Sequence, residues 1–495
     1  MKKRLSKLFP KILFIVYFLT VVALAYSVIL SGFFHLFDTD ELINSQKVYL
    51  NVNGYKPFIS YFSIYSPILH WILQPVFAIS GFTFVGLTAA RIFMILLFGL
   101  RLFLIFYIAW KIFGKWVAYG FVLMFLLDPF TVFSAMQIRP DNLALFFLTL
   151  ALVLLSKGLF NSVKKLEFSG GFFLSLAFLS SIKVMPSVFV VLAVFFLYCL
   201  KKKSKQILVL IAGFIIPCLI FFAYFLIQNS FMEMIQQLYI DSVAVINLNR
   251  SLAPLGFFLH PDNGNLYGYY GKPPAWFYEW ILPILAFIGL YQTLVNVLGK
   301  KVLEKKDLFK IIFILSLTFQ WLSLFFTESV YLQYYLPVSW LFAFFAAVAL
   351  YHFYEVLRSR KFKNVLVVFS LVCLLFFVVS SIKGNMTRAD GAGFWMTRDF
   401  LTNQASGIPD GAIVFPNILF HPLANQFVLG YPLERIPQYI IDRYPPLPDT
   451  LEKKKVPYLY FSFNYNIHLR PEWMPYIASH YKQVSTDSPL WVRTD

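Results

Sequence analysis

The sequence predicts a mainly α-helical protein that crosses a membrane many times and ends in a small α/β domain. The chain has 495 residues, of which 59% are hydrophobic and 13% charged, and its mean hydropathy is +0.70. A soluble globular domain carries about 25% charged residues. The charged share, the long apolar runs and a more polar final stretch of the chain together indicate this fold class.

Eleven apolar runs are predicted to cross the membrane. The first follows a basic segment, Met1–Lys11, and is too long for the core of a signal peptide, so we expect it to remain as a span. The predicted spans cover residues 12–33, 84–110, 116–136, 141–157, 168–182, 185–200, 206–228, 276–298, 309–327, 331–353 and 364–382.

The segment 68–80 is also apolar, but it has about 13 residues where a perpendicular span needs about 20, and it contains His70 and Pro75. We therefore expect it to lie flat at the membrane surface. With this choice the loops on one side carry 23 Lys and Arg residues and the opposite short loops carry 6. The positive-inside rule then places the amino terminus in the cytoplasm and everything after Lys383 outside an inner (plasma) membrane.

The chain is predicted to divide into a transmembrane catalytic domain, 1–383, and an extracytoplasmic α/β domain, 384–495. The first domain would include a first outer loop, 33–83, and a long outer loop, 229–275. In the second domain, runs typical of strands alternate with patterns typical of helices. The strands are expected at Ala412–Phe415, Pro457–Phe463 and Leu490–Arg493, and the helices at Phe394–Gln404 and Pro471–Tyr481.

The net charge of +18 could suggest nucleic-acid binding, but the basic residues lie in short clusters between apolar runs. This pattern sets membrane topology, so we expect no nucleic-acid partner. The three cysteines lie inside apolar runs, which argues against a disulfide framework or a zinc site. The sequence also has no glycine-rich phosphate-binding loop.

The polar residues that could carry chemistry fall at one side of the membrane in the predicted topology. They are Asp38, Asp40 and Glu41 after the first span, Arg139 and Asp141 before the fourth, Lys183, Arg250, His260 and Glu328. Charges beside a bilayer must be paired, hydrated or used. Their convergence indicates an active site rather than a set of unrelated loop residues.

Asp40 is the candidate general base, because a carboxylate held ionised beside an apolar wall can take a proton from a hydroxyl. An alternative is that Asp38, Asp40 and Glu41 only cap the helix that begins near Leu42, since acids are favoured at helix starts. Within the spans, Arg91 and Asp128 are predicted at similar depth, and we expect them to form an ion pair.

Several short motifs in this order resemble the outer-loop signature of the GT-C glycosyltransferases. The most similar members are the bacterial relatives of the dolichyl-phosphate-mannose protein mannosyltransferases and of the lipid A aminoarabinose transferases. The resemblance covers roughly residues 12–160, and Lys183 and Tyr334 extend it weakly. The motifs are Asp40-Glu41, Gly54-Tyr55-Lys56-Pro57-Phe58, Ser66-Pro67-Ile68-Leu69, Gly81, Ala89-Ala90-Arg91 and Arg139-Pro140-Asp141.

The resemblance implies an inverting transfer of one sugar from a polyprenyl-phosphate donor to an acceptor protein, glycolipid or polysaccharide at the outer face. Asp40 would be the base, with Glu41 and Asp141 orienting the acceptor or shaping the sugar site. The donor phosphate would be held by Lys183, Arg250 and Arg139, and the sugar or acceptor by Asp38, His260, Glu328 and Tyr334. No cofactor is required on this interpretation, although a divalent cation at the acids stays open.

One departure from the family pattern and three alternatives accompany this interpretation. The family often has a lysine directly before the proline of the first loop, where this chain has Ser66, so one expected phosphate contact is missing. Lys183 could instead be an ordinary lysine at a helix end, and Arg250 a solvated surface residue. A transporter or flippase, or a non-catalytic binder of a lipid-linked sugar, is the alternative function.

Overall fold

The computed structural model of the chain describes residues 2–128, 131–202, 206–243, 277–326, 332–358, 363–404, 408–409, 412–415, 443, 446–461, 471–485 and 488–495. Three predicted site residues, Arg250, His260 and Glu328, lie outside the described residues. So does most of the predicted long outer loop, 229–275.

Helices account for most of the described chain. In chain order they are α1 (Lys2–Phe34), α2 (Thr39–Val52), α3 (Ile68–Ser80), α4 (Phe84–Phe113), α5 (Lys115–Leu127), α6 (Thr131–Met136), α7 (Pro140–Asn161), α8 (Lys164–Ser180), α9 (Met185–Lys202), α10 (Gln206–Ile227), α11 (Phe231–Ile235), α12 (Leu282–Leu298), α13 (Lys305–Ser323), α14 (Leu336–Arg358), α15 (Lys363–Arg388), α16 (Ala392–Asp399), α17 (Leu447–Lys454) and α18 (Met474–His480).

Seven helical stretches among the described residues are long and apolar enough to cross a membrane. They are Phe14–Phe34, Phe84–Phe113, Pro140–Asn161, Ile182–Lys202, Gln206–Ile227, Leu336–Val356 and Val368–Thr402. This confirms a mainly helical, multi-pass membrane protein. Each of the eleven predicted spans contains a helix, but α5, α8, α12 and α13 are shorter or less apolar, and the count of eleven stays a prediction.

One predicted span is interrupted. The run 116–136 forms two helices, because α5 ends at Leu127 and Asp128 has an extended backbone, with φ −69° and ψ 119°. Pro129 follows Asp128 in the sequence, and a residue before proline avoids the helical conformation. Asp128 therefore lies at a helix end, not within a continuous helix as we expected.

The first loop, residues 35–67, lies between α1 and α3 at one end of the bundle. Asp38 caps α2 in a capping box, in which the Glu41 side chain accepts a hydrogen bond from the Asp38 backbone N–H at 3.0 Å. α3 has 13 residues, as predicted for a helix too short to span, and it ends at Gly81, whose φ is +77°. A positive φ favours glycine, so Gly81 sets the direction in which the chain enters α4.

Small residues allow α8 and α10 to pack closely. A Cβ atom added at Gly171 would lie 2.2 Å from the Leu210 carbonyl oxygen, and one at Gly213 would lie 2.2 Å from the Phe168 carbonyl oxygen. Neither position has room for a side chain. Close packing of backbones through glycine is common in membrane helix pairs, and here it fixes α8, whose end leads into the turn that carries Lys183.

The carboxyl-terminal part contains a four-stranded sheet with strands β1 (Ala412–Phe415), β2 (Tyr458–Phe461), β3 (Tyr481–Gln483) and β4 (Leu490–Arg493). The strand order is β1-β2-β4-β3, with β1 parallel to β2 and β4 antiparallel to both of its neighbours. Two predicted strands match β1 and β4, and the third overlaps β2. Helix α15 continues to Arg388, past the predicted domain boundary at residue 383, so that boundary stays a prediction.

Candidate active site

Three segments that are distant in the sequence meet at the end of the bundle that carries the first loop. They are the start of α2, the turn that leads into α7, and the turn between α8 and α9. Each contributes charged side chains that the sequence analysis had placed together, and five of these residues form one connected cluster. This cluster consists of Asp38, Asp40, Arg139, Asp141 and Lys183.

Arg139 is the centre of the cluster. Its guanidinium contacts Asp38 Oδ2 at 3.1 Å through Nη1, pairs with Asp40 Oδ2 through Nη2, and lies 3.9 Å from Asp141 Oδ2 through Nε. Its side chain is only 2% exposed. Burial lowers the pKa of Arg139, but the surrounding acids, Asp40 foremost, raise it further, so the net shift is upward. A permanent positive charge therefore holds three carboxylates in place.

Asp40 remains partly open to solvent, with 21% of its side chain exposed. Its Oδ1 atom accepts a hydrogen bond from the Tyr65 hydroxyl at 3.0 Å, while Oδ2 pairs with Arg139. Burial and the nearby Asp40 raise the pKa of Tyr65, so this hydroxyl stays protonated and donates. A carboxylate fixed from two sides and still accessible can receive a proton from a bound hydroxyl.

Asp141 and Lys183 form the opposite side of the cluster. Asp141 Oδ2 accepts a hydrogen bond from Lys183 Nζ at 2.6 Å, and Oδ1 accepts one from the Ser181 hydroxyl at 2.7 Å. Lys183 Nζ also lies 4.3 Å from the centre of the Tyr334 ring. The Lys183 side chain is 17% exposed, whereas Asp141 is 4% exposed. Lys183 is therefore a cation at the wall of the site, and Tyr334, whose predicted role in binding the sugar or acceptor stays a prediction, lies beside it.

Glu41 lies in a different environment from Asp40. Its side chain is 0% exposed, and Arg91 donates to it twice, from Nη2 to Oε2 at 2.6 Å and from Nε to Oε1 at 3.2 Å. Its carboxylate also accepts backbone N–H hydrogen bonds from Asp38 and Ile138. A carboxylate with four donors has no free position for a substrate.

The predicted pairing of Arg91 with Asp128 is wrong, because the Arg91 ion pair is made with Glu41. Arg91 also donates to the carbonyl oxygens of Phe33 at 3.0 Å and His35 at 2.7 Å. Comparable depth in two helices was the reason for that expectation. The end of α1 and the first loop instead reach the Arg91 side chain.

A second row of contacts continues from Asp40 along α2. The Asn44 amide donates to the carbonyl oxygens of Asp40 at 2.7 Å and Ile138 at 3.1 Å, so its Oδ1 atom accepts from His70 Nε2 at 3.0 Å. One turn further, Lys47 Nζ donates to the Ser63 hydroxyl at 3.0 Å. Residues 40, 44 and 47 share one face of a helix, which is the signal that could have found them.

The positions of the three acids around Arg139 decide whether the cluster could bind a divalent metal ion. Asp38, Asp40 and Asp141 all point at Arg139, which occupies the position between them that a divalent ion would need. This arrangement therefore does not fit a metal site. Among the described residues, Glu452, His480 and Asp495 form a group with ligand spacing, but Arg493 already pairs with both of its carboxylates.

Comparison with known proteins adds an independent observation. Residues 65–229 match the family described as dolichyl-phosphate-mannose-protein mannosyltransferase, which confirms the resemblance found in the sequence. ArnT from Cupriavidus metallidurans bound to undecaprenyl phosphate superposes with a TM-score of 0.60 at 15% identity, covering 97% of each chain. Its apo form gives 0.57 at 14% identity, covering 99% of this chain and 98% of that one.

A more distant likeness extends to the oligosaccharyltransferase of Archaeoglobus fulgidus in complex with Zn and sulfate. It gives a TM-score of 0.51 at 12% identity, covering 89% of this chain and 67% of that one. At these identities the structural matches show a shared fold. A search of curated proteins returned no match.

Proposed function

We propose that the chain transfers one sugar, with inversion, from a polyprenyl phosphate to an acceptor, because residues 65–229 match the family described as dolichyl-phosphate-mannose-protein mannosyltransferase. The observation that carries the proposal is Asp40, a fixed and partly exposed carboxylate in the same cluster as Arg139 and Lys183. The match to a family of sugar transferases favours this reaction over the alternative of a transporter or flippase. The acceptor is a protein, a glycolipid or a polysaccharide.

In the proposed reaction Asp40 acts as the general base. The acceptor hydroxyl attacks the anomeric carbon of the sugar, and Asp40 takes its proton as the new glycosidic bond forms. The bond between the anomeric carbon and the phosphate oxygen breaks, and the polyprenyl phosphate leaves with the electron pair. Arg139 and Tyr65 hold the Asp40 carboxylate in position for attack from the face opposite the phosphate.

Negative charge that develops on the leaving phosphate needs nearby cations. Lys183 is the best supported of the predicted phosphate ligands, because it is partly exposed and its pairing with Asp141 fixes its direction. Arg139 is engaged by three acids, so we assign it a positioning role alongside its predicted contact with the phosphate. Arg250 stays a prediction from the sequence. Asp38, 29% exposed, is left with a sugar- or acceptor-binding role.

Glu41 is better supported as a positioning residue than as a catalytic one. It contacts Arg91 and two backbone N–H groups, and these contacts tie the start of α2 to α4 and to the turn before α7. Both Asp40 and Arg139 lie next to the segments that it joins. Asp141, by contrast, keeps its predicted role of orienting the acceptor or shaping the sugar site, and it acts there through its ion pair with Lys183.

The topology of the proposal follows the distribution of basic residues. The amino terminus would be cytoplasmic, and the first loop, the cluster and the carboxyl-terminal α/β domain would face the outside of the inner (plasma) membrane. A lipid-linked donor suits that side, because nucleotide sugars are cytoplasmic. Eleven spans and a domain boundary at residue 383 belong to the same proposal.

The test is transfer of a radiolabelled sugar from polyprenyl phosphate to an envelope extract by the purified protein. We expect wild-type protein to label a lipid, protein or polysaccharide fraction covalently and Asp40→Asn to label none. Asp399→Asn, at an exposed ion pair with Arg398, is the matched control and should label normally. A folded Asp40→Asn variant with full activity would refute the assignment.

A further inference from the structure

Lys47 carries a buried amine that forms no direct ion pair with a carboxylate in the part of the chain that the structure describes. Its side chain is 8% exposed, its Nζ atom donates to the Ser63 hydroxyl at 3.0 Å, and it lies 4.8 Å from the centre of the Tyr65 ring. Among the described residues it has no acidic partner within 4.0 Å. An ammonium group that is buried without an adjacent counter-charge is unfavourable, and a bound anion would supply that counter-charge.

The charges of the neighbouring cluster suggest that function. Asp38, Asp40 and Asp141 supply three negative charges, and Arg139 and Lys183 supply two positive ones. The cluster therefore carries one net negative charge, and a sugar phosphodiester would bring another. Repulsion between like charges would oppose donor binding unless a further cation faced the same space.

Lys47 has both the position and the hydrogen-bonding capacity for this role. It lies two turns after Asp40 on the same face of α2, about 10 Å along the helix axis. An ammonium group has three N–H donors, and the described contacts use one of them, to Ser63. Burial lowers the pKa of Lys47 to about 7, against the opposing effect of Asp40, and a bound anion would restore the charged form.

We propose that Lys47 binds the phosphate of the lipid-linked donor, so that the sugar lies between this ammonium group and Asp40. The inference rests on the proposed function, because it takes the donor to be a polyprenyl phosphate. It adds a ligand that no motif in the sequence indicated. The phosphate would be held by Lys47 from the α2 side and by Lys183 from the turn between α8 and α9.

The experiment is a thermal-shift titration of the full-length protein with undecaprenyl phosphate in phosphatidylcholine nanodiscs. A ligand that binds only the folded state raises its stability in proportion to occupancy. Loss of one charge-assisted hydrogen bond should weaken binding about 10- to 100-fold in Lys47→Met. Lys383→Met, at an exposed lysine of α15, is the control and should bind as wild type does. A Kd for Lys47→Met within twofold of wild type would overturn the proposal.

The ligand-free melting temperature separates binding from a structural role. Lys47→Met removes a buried charge, and Ser63 keeps its hydrogen bond to the Tyr65 carbonyl oxygen at 2.8 Å, so the ligand-free protein should be at least as stable as wild type. A large loss of ligand-free stability with an unchanged Kd would assign Lys47 to the fold instead.

A second variant covers the case in which Lys47→Met does not fold. Wild-type affinity should fall, by at most about tenfold per pH unit, as the pH rises above 7 and free Lys47 loses its proton. Lys47→Arg keeps its charge at every pH in this range, so its affinity should not fall in the same way. The same pH dependence in both proteins would contradict the assignment.

Two further measurements complete the test. One asks whether the site requires the polyprenyl chain, and the other asks whether the result for Lys47 depends on the proposed role of Asp40. Phosphatidic acid at the same mole fraction presents a phosphate monoester without the polyprenyl chain, and equal binding of the two lipids would show a general headgroup site and overturn the proposal. Asp40→Asn should bind undecaprenyl phosphate at least as tightly as wild type does, because it removes one negative charge from the cluster. If that variant still transfers sugar, the proposed base fails while the result for Lys47 stands.

Discussion

Asp40 and Glu41 are neighbours in the first turn of α2, yet the fold gives them opposite surroundings. Glu41 is completely buried, and four donors from α4, from the Asp38 backbone just before α2 and from the turn before α7 satisfy it. Asp40 is 21% exposed and shares Arg139 with two other acids. Two adjacent acids of one motif can therefore differ completely, one being partly open to solvent and the other buried in contacts that join separate segments. The number of donors and the exposure separate the two.

The difference between Asp40 and Glu41 is tested most directly by neutralising each acid in turn. Asp40→Asn should lower the rate of sugar transfer by about 10²- to 10⁴-fold, because a general base typically contributes that much. Its free energy of unfolding should stay close to that of wild type, since Asp40 is partly solvated. The measurement pairs a transfer assay with denaturation in detergent. If Asp40→Asn lowered the free energy of unfolding as strongly as it lowered the transfer rate, Asp40 could no longer be distinguished from Glu41.

Glu41→Gln should act mainly on stability. Removing one partner of a buried pair leaves the other charge uncompensated, and such changes cost about 3–5 kcal/mol. The loss should appear in equilibrium unfolding of the detergent-solubilised protein. Replacing both members together, as Glu41→Leu with Arg91→Met, should recover part of that loss. A stable but inactive Glu41→Gln variant would instead support the catalytic role first predicted for this residue.

Lys183→Met tests whether Lys183, in the cluster around Arg139, contacts the donor. Losing a charged donor should cost about 1.5–3 kcal/mol of binding, which raises KM for the lipid-linked sugar about 10- to 100-fold. The effect on kcat should be smaller than for Asp40→Asn. Steady-state kinetics at varied donor concentration provide the measurement. An unchanged KM would return Lys183 to the alternative of an ordinary lysine at a helix end.

Tyr65→Phe should have the smallest effect of the series. It removes one hydrogen bond to Asp40 and keeps the ring beside Lys47, so we expect a loss of about 0.5–1.5 kcal/mol, or a 2- to 10-fold lower kcat. Stability and donor binding should stay unchanged. A loss as large as that of Asp40→Asn would mean that Tyr65 takes part directly in the proton transfer.

Much of the arrangement could be predicted because topology alone constrains it. Basic residues on one side of the apolar runs place Asp40, Arg139, Asp141 and Lys183 at the same end of the bundle, and the structure brings these four together. Strand β4 could also be predicted, since the alternation of its side chains and the turn residues before it are local features of the sequence. These inferences needed no knowledge of which helix packs against which.

The rest depended on contacts between distant segments. The Arg91 pairing was missed because depth along two helices says nothing about a loop that folds back over them. Lys47 and His70 were missed because their role depends on how residues 61–70 lie against α2, which helical periodicity alone does not specify. Pro129 could have predicted the helix break at Asp128, but the run 116–136 is mostly apolar and was therefore predicted as one span.

The contact between Glu41 and Arg91 also has a consequence for biosynthesis. A translocating arginine is among the costliest side chains to place in a lipid bilayer. Glu41 precedes it in the chain, so the counter-charge has already emerged from the ribosome when α4 enters the translocon. The growing polypeptide therefore carries the neutralising group before Arg91 arrives, so the Glu41–Arg91 pair can form while α4 is being inserted.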